Sequence, residues 1–239
     1  MSTMTGALPI ATTELRLIVR NRAVLFSAVL FPLALAVWLF TQRDDTVNAS
    51  IALIAMNILF FSTFTIYTTA TTTIVTRRED LYLKRLRSGE TSDSAILTGL
   101  VAPVLVLCAV QLVAVLAVML ALGVGWPQRP LLVLVAVAGM FAVCASAGLL
   151  TAVVTPNASA AQISSMPFLL LVIGSFVMAP LVESRFTDLL PGGAVVTLVR
   201  AAYGAAIEGN VLVAVASLAV WSYVPLELAR RYFVWEPRH

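Results

Sequence analysis

Residues 77–93 read RREDLYLKRLRSGETSD and hold five of the chain's fifteen basic residues and four of its twelve acidic ones. Long runs without a single charge lie on either side, 51–75 before and 95–122 after. A charged stretch between two such runs has to face water, while its flanks are long enough to cross a bilayer. The flanks read as membrane spans, and that reading decides the fold.

Composition extends it to the whole chain. The 239 residues are 60% hydrophobic and 11% charged, with a mean hydropathy of +0.98, against about 25% charged in an average soluble domain. An all-α membrane protein with a single transmembrane domain over 1–239 is expected, since the loops are too short for a second, soluble unit. The net charge of +3 does not point to nucleic acid, because the basic residues cluster beside apolar spans. Cys108 and Cys144 each fall inside an apolar run and read as small packing residues, not as a disulfide or metal site.

Along the chain, residues 1–22 interleave Glu14, Arg16, Arg20 and Arg22 with Leu15, Leu17, Ile18 and Val19, a spacing that suits an amphipathic helix lying in the membrane interface. Residues 23–41 are 19 uncharged residues, or about 28 Å of helix, close to the roughly 30 Å hydrocarbon core. This first span has no small-x-small cleavage site after it and reads as a retained anchor. The second span, 51–75, is crowded with hydroxyls. Asn57, Thr65, Thr68, Thr69 and Thr72, with Phe168 and Phe176 further on, are candidates to line a substrate path; bonding to the preceding turn and helix packing read the hydroxyls equally simply.

Spans are expected at 95–122, 131–154, 163–182 and 211–226, with an uncharged turn at 155–162 and a charged tail at 227–239. Gly139, Ala142, Ala145, Ser146 and Gly148 give the fourth span a surface another helix can approach closely. Residues 189–207 are apolar, but Pro191-Gly192-Gly193 breaks them and Arg200 lies inside. They read as a re-entrant or outer-surface helix, since crossing would bury Arg200 at about 2.5–3.5 kcal/mol.

Six spans put both termini on one side, which then carries 11 of the basic residues against 4 on the other. That asymmetry places the termini and residues 77–93 in the cytoplasm.

Absences narrow the chemistry. His239 is the sole histidine and Lys84 the sole lysine. No catalytic residue, metal site or phosphate-binding loop is expected, and the carboxylates all fall outside the spans, leaving no intramembrane proton relay. The chain is expected to bind no cofactor and to be no enzyme. A passive channel, a scaffold or a subunit driven from the cytoplasm remain. Read as a helix, 79–87 groups Tyr82, Leu83 and Leu86 with Lys84, Arg85 and Arg87 around the other side, a shape that docks into a groove of a soluble protein. A solvated loop with positive-inside sorting fits the same residues.

Arg78-Glu79-Asp80 followed by Leu83-Lys84-Arg85-Leu86-Arg87 resembles the stretch after the second helix of the type-two ATP-binding-cassette exporter permeases. Leu81-Tyr82 stands where that family has Gly-Thr, and Ser88-Gly89-Glu90-Thr91 where it often has Ala-Thr-Pro-Leu. Met166-Pro167-Phe168 opening the fifth span, Pro180, Leu190-Pro191 and Leu198-Val199-Arg200-Ala201 are similar to its C-terminal half. The resemblance implies a coupling helix at 77–93, with Glu79, Asp80, Leu83, Lys84, Arg85, Leu86 and Arg87 meeting a separate ATPase that binds ATP and Mg. It implies two such permease subunits, identical or not, working with two ATPase subunits.

The uncharged Thr, Ser, Ala, Val and Phe lining points to a hydrophobic or amphiphilic cargo. Within the family this favours a multidrug or antibiotic exporter over an envelope lipid or glycan exporter. Fourteen arginines to one lysine point to a GC-rich bacterial genome, hence an inner or plasma membrane.

Overall fold

The computed structural model describes residues 12, 34, 37, 38, 40, 41, 47–80, 93–179, 185–207 and 209–233. The interfacial helix, most of the first span, residues 81–92 and the end of the tail lie outside them.

Every regular element among the described residues is helical: α1 (Val47–Phe61), a π-helical segment (Ser62–Tyr67), α2 (Thr68–Glu79), α3 (Asp93–Ala121), α4 (Pro130–Val154), α5 (Ala158–Met178), a 3-10 turn (Arg185–Leu189), α6 (Pro191–Ala202) and α7 (Val211–Tyr232). Five stretches are long and apolar enough to cross a membrane: Asn48–Glu79, Ile96–Ala121, Pro130–Val154, Ala158–Met178 and Val211–Tyr232. Pro103, Pro167 and Pro225 sit inside α3, α5 and α7, as membrane helices tolerate when neighbours satisfy the freed carbonyls.

Three boundaries differ from the sequence expectation. The second span runs unbroken for 32 residues, about 48 Å, so its end carries Arg77, Arg78 and Glu79 as a last helical turn. Glu79 and Asp80 thus close α2 instead of opening a separate helix. The fifth span starts at Ala158, not residue 163, because Asn157 Oδ1 accepts from Ala160 N at 2.9 Å and caps it. The last helix continues past residue 226 to Tyr232, with Glu227 bonded to Arg231 at 2.8 Å one turn on.

The core is built around α4, which packs against α7, α6, α2 and the π segment. Its small residues serve two neighbours, not one surface. A Cβ at Gly148 would stand 3.1 Å from Tyr67 O and from Ala70, and one at Gly139 would stand 2.8 Å from Leu218. Hydrogen at these positions is what lets α2 and α7 close on α4.

Residues 189–207 form only the 12-residue α6, about 18 Å long and too short to cross. This helix is no surface element: ten of its residues are buried between α1, α4, α5 and α7. Pro191 at its start fixes the first turn, and Gly192 lets it press onto α5, where its N–H donates to Ser175 Oγ at 3.0 Å.

Candidate functional site

The helix end that leads into the charged stretch is anchored by Arg78. Its side chain has no solvent exposure. Nη1 donates to Ala152 O at 3.1 Å and Nη2 donates to Thr155 O, both at the C-terminal end of α4. Carbonyls in a last helical turn lack intrahelical donors and carry partial negative charge, so a cation there meets both needs. Around it, Ile74, Val75, Ile96, Leu100 and Ala152 form a small apolar cluster, with Leu149, Ala158 and Phe233 against it. The ends of α2, α4 and α7 and the starts of α3 and α5 are thereby fastened together; this is the basic end of the molecule.

Of the residues expected to contact a partner, Glu79 and Asp80 are exposed at that end. Leu83, Lys84, Arg85, Leu86 and Arg87 lie outside the described residues. Arg78 belongs to the same charged motif but faces inward, toward α4.

The candidate path residues do not share one face. Asn57 is buried and donates to Leu53 O at 2.7 Å. Thr65 Oγ1 donates to Gln111 Oε1 of α3 at 3.0 Å. Thr72, exposed, donates back to Thr68 O at 2.9 Å, and Thr68 to Phe64 O. Thr69 is half-buried. Phe168 stacks on Tyr67 with ring centroids 4.5 Å apart. Phe176 lies far from these, lining a cavity of about 360 Å³ with Ile51, Val196 and Arg200. What the long helix presents outward is Phe60, Phe64, Thr72 and Thr76 at helical spacing, with Phe60 and Phe64 stacked at 4.4 Å.

Residues 9–181 match the model of the ABC-2 type transporter, over two thirds of the 239 residues. The chain belongs to the ABC-2 transporter family. A comparison with curated protein sequences found no match. As an ABC-2 permease it is the membrane subunit of an ABC transporter, and the family implies an ATP-binding subunit as partner. The match takes in α1 to α5 and the charged stretch; α6 and α7 follow it.

Two further parts of the permease escaped the sequence reading. Tyr67, at the end of the π segment, donates to Ser165 O of α5 at 3.2 Å and shares a hydrogen bond of 3.1 Å with Thr151 of α4. At the end opposite Arg78, Asp188 is 1% exposed. It accepts from Thr197 Oγ1 of α6 at 2.6 Å and from Asn210 N at the cap of α7 at 2.7 Å. A buried carboxylate with two donors acts as a clasp. Its only sequence signal is an acid between two turn-forming stretches.

Proposed function

We propose that this permease exports a hydrophobic or amphiphilic compound of the drug or antibiotic type across a bacterial plasma membrane, with both termini and residues 77–93 cytoplasmic. Two permease subunits work with two ATPase subunits, which bind ATP and Mg. Each ATPase docks on Glu79, Asp80, Leu83, Lys84, Arg85, Leu86 and Arg87. Nucleotide-driven movement of that segment then pulls on the helix ends behind it.

The observation that carries this reading is Arg78. A solvated loop would need only surface charge after the second span. Here the first charged residues beyond the apolar run are bolted to the end of α4, so displacement of residues 79–92 reaches α4 and α5 through a rigid joint. The outward Phe60, Phe64, Thr72 and Thr76 face, apolar with hydroxyls and no charge, supports an amphiphilic cargo over a charged glycan.

The test is a pair of double variants, Lys84→Glu with Arg85→Glu and Leu83→Gly with Leu86→Gly, in cells and in detergent pull-downs. Membrane insertion persists while the ATPase no longer co-purifies and efflux of amphiphilic drugs stops. Wild-type efflux from both variants would sink the docking assignment. A protein that purifies without any ATPase, with a phenotype indifferent to ATP, would make it a channel or scaffold.

A further inference from the structure

A second feature of the basic end is a groove between α3 and α7, with a cavity of about 250 Å³. Val101 and Leu105 of α3 face Leu226 and Ala229 of α7 across it, and Leu149 of α4 also lines it. From Leu97 to Leu105 the groove follows α3 for about 12 Å, from the charged end toward the middle of the membrane. At its mouth stand Thr98, Arg230 and Phe233.

The charges at this mouth are uneven. Arg231 Nε is held by Glu227 Oε1 at 2.8 Å. Arg230, exposed and about 100° round the helix, has no hydrogen-bonding or ionic partner among the described residues. No carboxylate lines the groove. An occupant that satisfies both parts must bring an anion to the membrane surface and an apolar tail several turns deep beneath it.

We infer that this groove binds an anionic phospholipid of the leaflet on the basic side, one acyl chain lying along α3 and the phosphate meeting the Arg230 guanidinium and the Thr98 hydroxyl. Basic residues at the edge of a cleft between membrane helices favour anionic head groups in this way. A helix of a second copy would need a flat apolar strip, and it would leave the guanidinium without an anion. The inference leans on the proposed sidedness only for which leaflet supplies the lipid.

The experiment uses the full chain in nanodiscs of equal phosphatidylglycerol and phosphatidylcholine, extracted into mild detergent and read by native mass spectrometry. Wild type retains phosphatidylglycerol in preference to phosphatidylcholine. R230Q lowers that retention about fivefold, R230K restores it, and A102F, which fills the groove from the half-buried Ala102, abolishes it. Arg230 is exposed, so R230Q keeps the wild-type unfolding temperature.

Equal retention of the two lipids by wild type, or unchanged retention in both R230Q and A102F, overturns the site. So does efficient cross-linking of a cysteine at Thr98 to one placed within residues 1–22, which would make the chain's own N-terminal segment the occupant. None of these readouts involves transport or ATPase co-purification, so failure of the export reading and failure of this one are separable.

Discussion

A fully buried guanidinium is stable in a membrane protein only when its donors meet acceptors that would otherwise go unsatisfied, and Arg78 does this with two carbonyls at the end of α4. Glutamine is too short to reach both. R78Q should therefore lose about 2–3 kcal/mol, read as a lower unfolding midpoint in detergent, and lysine should recover only part of it because an ammonium lacks the planar fork. An R78Q midpoint equal to wild type would mean the joint does not hold the helix ends. Asp188 offers the matching test at the other end. In D188N the Thr197 hydroxyl can turn to accept, but the Asn210 N–H has to face an amide in place of a carboxylate. The expected loss is about 1.5–3 kcal/mol, and an unaltered thermal melt would refute the clasp.

Helix contacts depend on how closely backbones approach. A Cβ at Gly192 would lie 2.3 Å from Ser175 Oγ and 2.4 Å from Val172 O, whereas one at Gly174 in the middle of α5 would meet nothing within 4 Å. G192A should then push α6 off α5 at about 1–3 kcal/mol, and G174A should be neutral or slightly stabilising through helix propensity. Thermal unfolding of the two variants side by side decides it: equal midpoints would remove α6 from its buried position.

The same elements show what the sequence made legible. Uncharged runs of membrane length located α1 with α2, α3, α4, α5 and α7, because hydropathy acts over a whole helix. Proline, two glycines and Arg200 marked α6 as non-crossing. The start of α5 was misjudged because Ala158 to Ala161 look like a turn by composition, while the deciding signal is a single cap, Asn157. Arg78 and Asp188 were illegible for another reason. Their partners are backbone and hydroxyl groups brought near by folding, for Arg78 some 74 and 77 positions along the chain, and no local pattern encodes a long-range acceptor.

At the scale of the whole molecule, one continuous helix, Asn48–Glu79, joins the end that holds Asp188 and α6 to the end that holds Arg78. Its lower half, α1, packs on α6 and its upper half, α2, on α4 and α5, so it is the one described element that touches the fastening at both ends. Between the halves lies the π-helical segment Ser62–Tyr67, where bonds run from i to i+5 and the chain carries more residue per turn than an α-helix. Such a segment behaves as an inserted residue, and its consequence is one of reading frame. Deleting a single position, Phe64 for instance, lets the helix close into regular α-turns and rotates everything beyond it by about 100° relative to α1. Arg78 would then point away from Ala152, although no residue of the joint had been touched. The deletion should lower the unfolding midpoint as R78Q does, while substitution of Phe64 by leucine, which keeps the count, should not.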